Sequence, residues 1–241
     1  MSKGNAGGNL RRFYIIFAVV ALVGIGAVTY LLGSQAMSSA VSVPVDMGDL
    51  DDRELMELAI PIIKGDIDAP VSILVFGDFN CPACAGFSLT VRPEVEAKLV
   101  DTGKARLVFY DFPLPQYVPF GSFLAARAAR CAGDQGGYWE YHDYLYQTQR
   151  IWSAESDHAG VFQGYAEAMG LDSDEFRGCL NSDRHAREVT ANQSLAHALG
   201  IPQTPSILVG SAGGMNRRLG TYTLEAIEQA VEEILAGLGQ S

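Results

Sequence analysis

Residues 71 to 84 read VSILVFGDFNCPAC. Val71 to Phe76 is a short apolar run between Asp68-Ala69-Pro70 and Gly77-Asp78, the pattern of a strand buried on both faces. Cys81-Pro82-Ala83-Cys84 follows at once, and a helical pattern then continues to about Leu99. A second apolar strand, Arg106 to Tyr110, comes within a few residues of that helix. Strand, helix and strand at this spacing make a βαβ unit with a parallel pair.

Outward from this unit, residues 51 to 60 carry a short helix signal. Asp51 is the cap, Glu54 stands three residues later, and Leu55, Leu58 and Ala59 share one side before Pro61 ends it. The folded domain begins near Ile60. From Val118 to about Leu199 helix follows helix, broken at Gly133, Gly136, Gly137 and Gly170, so a helical block over about 115–200 is inserted into an α/β chain. Strands return at Ser206 to Val209 and Met215 to Leu219, joined through Ser211-Ala212-Gly213-Gly214 as a hairpin. A last helix, Thr223 to Leu238, places Leu224, Ile227, Ala230, Val231, Ile234 and Leu235 on one face.

The chain has 241 residues, 17 Lys+Arg against 28 Asp+Glu, and 48% hydrophobic residues. Its mean hydropathy of +0.11 is too apolar for a disordered chain. Much of the excess is Phe13 to Leu32, twenty residues without a charge, long enough as a helix to cross a bilayer. Lys3, Arg11 and Arg12 precede it and Asp46, Asp49, Asp51 and Asp52 follow, which puts residues 1–12 in the cytoplasm and everything after residue 32 outside. The expected arrangement is a tail (1–12), an uncleaved signal-anchor (13–32), a linker with the short helix (33–59) and an exported domain (60–241); a cleaved signal peptide is the alternative. The part beyond residue 32 carries 14 basic and 28 acidic side chains, a net −14. No basic stripe is present, which excludes a nucleic-acid surface.

In an exported chain the chemistry sits at Cys81-Pro82-Ala83-Cys84. Two thiols three apart at a strand-to-helix turn can form a small reducible ring. Cys81 in the N-cap region meets unpaired amides and the positive end of the helix dipole, which favour thiolate; Pro82 in the first turn costs no helix hydrogen bond. Cys84, one turn on and facing inward, is the resolving thiol. A zinc half-site and an inert disulfide are the alternatives; zinc would need two further ligands, and neither a second C-x-x-C nor an H-x-x-x-H is present. Ala85 stands where c-type haem attachment requires His, so no cofactor is expected.

The second informative stretch is Gln203-Thr204-Pro205-Ser206-Ile207-Leu208-Val209. A proline at the start of a strand fits either a cis X-Pro bond or an ordinary trans proline opening an edge strand.

Taken together, Asp78-Phe79-Asn80-Cys81-Pro82-Ala83-Cys84, Asp111-Phe112-Pro113-Leu114, Cys131-Ala132-Gly133, Trp139-Glu140-Tyr141-His142-Asp143 and Gln203-Thr204-Pro205-Ser206 resemble the DsbA-like thiol:disulfide oxidoreductases, over about residues 61 to 238. The resemblance implies a thioredoxin fold with an inserted helical subdomain and an extracytoplasmic enzyme that oxidises client thiols. It implies Cys81 as the exposed nucleophile, Cys84 as the resolving thiol, Pro205 as a cis proline against the pair, and Thr204 as a backbone donor to an extended client segment. Exported clients and a quinone-linked membrane partner would be its partners. Two positions depart from the family. Many relatives carry a buried acid six residues before the first cysteine, where this chain has Val75, leaving Asp78 and Asp111 as candidates to move protons. Strong oxidants often have His between the cysteines, where Pro82-Ala83 offers none, so a less stabilised thiolate and a less oxidising disulfide are expected. A reductase or isomerase of the same fold is the first alternative. A tethered, non-enzymatic binding or chaperone module with structural disulfides is the second.

Cys131 and Cys179 have no neighbouring cysteine and are expected to bond to each other in an oxidising compartment, a redox relay or intermolecular link being the alternative. The aromatic cluster Tyr138, Trp139, Tyr141, Tyr144 and Tyr146 reads as packing, not a ligand cage. His142, His158, His185 and His197 are scattered, so no metal site is expected.

Overall fold

The computed structural model describes residues 14–17, 19–21, 23–25, 40–211, 214 and 216–239. The chain divides into two units, Met1–Ser39 and Ala40–Ser241. In the first, residues 14–17, 19–21 and 23–25 are helical; the rest of the span expected over residues 13–32 lies outside the described residues. Among the described residues no helix is long and apolar enough to cross a membrane.

The second unit opens with α1 (Asp52–Leu58), capped as its sequence demands. Asp51 accepts from the Glu54 amide and the Glu54 side chain accepts from the Asp51 amide. Then come β1 (Ile62–Lys64) and β2 (Val71–Gly77). A continuous helical arm follows, made of α2 (Pro82–Gly86), a π-helical stretch (Phe87–Val91), α3 (Arg92–Val95) and a second π stretch (Glu96–Val100), and leads to β3 (Ala105–Asp111). The insertion holds a 3-10 turn (Val118–Phe120), α4 (Ser122–Gly133), α5 (Tyr138–Gln147), α6 (Gln149–Trp152), α7 (His158–Ala168), α8 (Ser173–Leu180) and α9 (Ala186–Ala198). The chain returns through β4 (Ser206–Ser211) and β5 (Arg217–Arg218) to α10 (Leu224–Leu238), capped by Thr223.

The sheet order is β1-β3-β2-β4-β5. β2 and β3 pair in parallel from Val71–Ala105 to Gly77–Asp111, as the βαβ reading requires, and the other pairings are antiparallel. Alternation splits the strands between two apolar clusters. Ile73, Val75, Leu107, Phe109, Ile207 and Val209 face the main core with the helical arm, α4, α5 and α10. Phe76 and Leu208 face a smaller cluster with Phe112, Ala196 and Ile201. Gly77 is required where β2 meets the cysteine turn, because a Cβ there would sit 2.7 Å from the Phe109 ring. β4 runs two residues past the expected Val209, β5 is shorter than the expected Met215 to Leu219, and residues 212, 213 and 215 lie outside the described residues.

Residues 40–45, inside the stretch read as a linker, lie against the insertion. Ala40, Val41 and Val45 pack on the main core, and the Val45 amide donates to Thr190 at 3.1 Å. Arg127 is fully buried on α4 and donates to the carbonyls of Val41, Ser182 and Arg184 at 2.6 to 3.0 Å. Burial lowers its pKa to about 10, and these carbonyls supply the partners that a buried guanidinium must have.

Candidate active site

The Cys81-Pro82-Ala83-Cys84 turn sits where the parallel strand β2 ends and the helical arm begins. Cys81 is the N-cap of α2 and has extended backbone, with no side-chain cap, and Pro82 is at the first helical position. The cap amides are therefore free to favour negative charge on the Cys81 sulfur. The two cysteines are thiols here, unbonded to each other.

Thr204-Pro205 is a cis peptide bond at the start of β4. The Cys81 thiol donates to the Thr204 carbonyl at 3.4 Å, so the turn and the proline loop, 123 residues apart in sequence, meet at the sulfur. Covered in this way, Cys81 is 7% exposed. The nucleophile expected to be exposed is instead a buried sulfur beside Thr204. Cys84 lies deeper, 1% exposed, and accepts from the Asp78 amide at 3.5 Å. Pro82 is exposed and Ala83 is half-buried on the rim.

The two sulfurs differ sharply. The Cys81 pKa is lowered to about 5, first because the Cys84 thiol donates to it and then through Thr204 and the amides of Cys84 and Ala83, against the opposing cost of burial. The Thr204 hydroxyl is buried without another partner, which leaves it available to the thiolate. Burial and the neighbouring Cys81 push Cys84 up, so it holds its proton. The weak thiolate expected from the absence of His between the cysteines is thus not what the site builds. Donors from Cys84 and the proline loop take the place of a histidine.

Val75 is buried in the main core, two residues before Gly77, and no acid stands there. Of the two candidates, Asp78 is the one at the cysteines. It is 1% exposed; its Oδ1 accepts from the Asn80 amide at 2.7 Å and from Ser122 Oγ at 2.6 Å, and its Oδ2 accepts from the Leu114 amide at 2.7 Å. Burial raises its pKa to about 6 despite those bonds. Asp111 is committed elsewhere, paired with buried Arg130 at 2.6 Å. Two further residues carry the turn, Gln149 with no motif to announce it and Asn80 from within the cysteine motif. Gln149 Nε2 donates to Phe79 O at 2.7 Å and Cys81 O at 3.0 Å, and Asn80 Nδ2 donates to Phe120 O at 3.1 Å. Tyr146 also donates to Asp78 O, at 3.3 Å.

Cys131 and Cys179 form a disulfide between α4 and α8, 0% and 1% exposed. The sulfurs have His185 beside them, but both are spent in the bond and leave no thiolate ligand for a metal. His185, at φ 62°, instead pairs with Asp134 at 3.0 Å. The aromatic cluster is packing. Tyr138, Tyr141 and Tyr146 are buried, and His142 sits among Phe79, Phe109, Trp139 and Tyr146, with burial lowering its pKa to about 4.

A family model described as thioredoxin matches residues 59–232. The chain belongs to the thioredoxin family. Its relatives place it in the DsbA-like branch of thiol:disulfide oxidoreductases. It is 26% identical over 227 residues to the probable disulfide bond formation protein D of Bacillus anthracis, covering 92% of this chain and 94% of that protein. BdbD from Bacillus subtilis shares the fold with a TM-score of 0.63 at 23% identity, over 72% of this chain and 92% of that one. Wolbachia pipientis alpha-DsbA1 does so at 0.65 and 23%, over 75% and 96%. The chain is also 33% identical over 189 residues to the Na(+)/H(+) antiporter NhaA 1 of Salinispora arenicola. That match covers 76% of this chain, which spans only 27% of the antiporter's length.

Proposed function

We propose that this DsbA-like chain oxidises the thiols of exported client proteins through a Cys81–Cys84 disulfide, held at the outer side of the cell membrane by the residue 13–32 segment with its N-terminus in the cytoplasm. The single observation that carries the reading is the asymmetry of the pair: a Cys81 that ionises near pH 5 beside a Cys84 that stays protonated. A thiolate stabilised in the dithiol state makes the dithiol the favoured product, and hence the disulfide an oxidant.

In the oxidised protein a client thiolate attacks the Cys81 sulfur. The Cys81–Cys84 bond breaks, a client–Cys81 disulfide forms, and Cys84 leaves as a thiolate that must take up a proton. Asp78, with its pKa near 6 and its own amide on the Cys84 sulfur, supports that transfer in place of the acid absent at Val75. A second client thiolate then attacks the client sulfur and expels Cys81 as a thiolate, a good leaving group because its pKa is low. Two electrons pass from the client to the pair, and the client keeps the new disulfide. Returning the pair to the disulfide requires a two-electron acceptor, for which we propose a quinone-linked membrane partner. The Thr204 backbone beside Cys81 offers the edge on which an extended client segment can add.

With Cys84 replaced by Ser the Cys81–Cys84 disulfide cannot form and client oxidation is expected to stop; the lone Cys81 thiolate attacks the disulfide of an oxidised client instead, and with no Cys84 thiol to release it clients are recovered covalently bound to Cys81. Recovery of no mixed disulfide from a folded variant would contradict the mechanism.

A further inference from the structure

Beside Pro205 the surface opens into a cavity of about 510 Å³ walled by the proline loop, β5 and the start of α10. Gln203, Pro205 and Ser206 form one side, and Arg218 and Tyr222 the other. The cavity wall begins at Pro205, next in the chain to Thr204, whose carbonyl touches the Cys81 sulfur, so the cavity neighbours the place where a client is joined. The charge of the lining runs against that of the protein. The chain carries 28 acids against 17 basic residues, yet no acid lines this cavity and one arginine does.

The two arginines of β5 are not equivalent. Arg217 is neutralised by Glu233 at 3.0 Å. Arg218, paired across the ladder with Leu208, gives one Nη1 hydrogen to the Gly200 carbonyl at 3.2 Å and has no carboxylate partner among the described residues. Arg218 lines the cavity and that one bond leaves its remaining donors and its charge unspent, and a guanidinium fork matches a carboxylate.

We infer that Arg218 is a specificity-determining residue: the cavity beside the proline loop favours client segments that carry an Asp or Glu side chain close to the reacting cysteine. The inference rests on the oxidoreductase reading above and names the kind of client segment that site takes up. Arg218 does not touch the sulfurs; it acts on where the client lies.

The test is a set of synthetic dithiol peptides, identical except for Glu, Ser or Lys at positions one to three residues from the reactive cysteine. Each is used to reduce the pre-oxidised protein in a single turnover, with dithiothreitol as an uncharged reductant. Comparing the parent protein with Arg218→Ala cancels the overall negative field, which acts on every peptide alike. We expect the Glu-over-Lys rate ratio to be about fivefold larger in the parent than in Arg218→Ala at low ionic strength, to collapse in high salt, and to fall further in Arg218→Glu. Dithiothreitol is expected to reduce all three proteins at one rate. Equal Glu-over-Lys ratios in parent and Arg218→Ala overturn the inference. If dithiothreitol and every peptide fail to reduce the pair in the parent, it is the oxidoreductase reading that fails.

Discussion

Cys81 and Cys84 stand at the first turn of a helix, while Cys131 and Cys179, 48 residues apart in sequence, join two helices of the insertion. All four sulfurs are buried, so exposure does not separate the reactive pair from the brace. What separates them is the company of polar groups. Around Cys81 converge cap amides, the Thr204 hydroxyl and the Cys84 thiol, each a donor able to stabilise a charge on sulfur. Around Cys131 and Cys179 lie Arg127, Asp134 and His185, whose hydrogen bonds go mainly to backbone carbonyls and to one another. One environment is organised around an ionised thiol, the other around a closed chain loop.

The largest expected effect that sharpens this contrast comes from opening the brace. The Cys131→Ala/Cys179→Ala variant is expected to lose about 4 kcal/mol of stability to denaturant, from the released loop of the unfolded chain, while its oxidised Cys81–Cys84 pair still reacts with clients at the parent rate. A potential for the reactive pair that shifts with the brace would merge the two regions into one redox unit and break the contrast.

Gln149→Ala comes next. It leaves Phe79 O and Cys81 O without the amide that now serves both, and should cost about 2 kcal/mol of stability. Because one of those carbonyls belongs to Cys81, the client exchange rate is expected to fall with it, whereas Gln149→Glu, which cannot donate when ionised, should be rescued toward acid pH.

Asp78→Asn has a smaller effect of the opposite kind. Burial raises the Asp78 pKa from 3.8 to about 6, so the folded protein binds more protons between those values. Its stability is highest below the lower value and falls as pH rises through about 6. The variant removes that pH dependence. It should also slow formation of the mixed disulfide, the step in which Cys84 leaves and takes up a proton, by about tenfold or more at pH 7, as read by rapid acid quenching. An unchanged rate of formation would return that role to water.

How much of this the sequence discloses follows from the range of the interactions. The βαβ unit and the turn are local, so the period of Val71 to Phe76 and the C-P-x-C spacing are enough to place them. The capping box of α1 is local too, and Asp51 and Glu54 announce it. β1 has three residues and no alternation to read, and it exists because β3 offers it an edge. Gln149 is silent for another reason: its partners are carbonyls 70 and 68 residues away, and any glutamine reads as surface until the fold brings them together. The strength of the Cys81 thiolate was hidden likewise, since its donors come from Cys84 in three dimensions and from the proline loop across the sheet. Arg127, buried against the carbonyls of residues 41, 182 and 184, shows why a stretch of linker composition lies packed.

The most direct measurement is the reduction potential of the Cys81–Cys84 pair, equilibrated against glutathione across pH. An oxidant with a Cys81 pKa near 5 should lie at or above about −180 mV at pH 7. With one thiolate already formed, its potential should fall by about 30 mV per pH unit above pH 5 and by about 59 mV per unit below it. A pair that stays oxidised below about −270 mV at pH 7, with the two-proton slope persisting through neutral pH, would contradict the account.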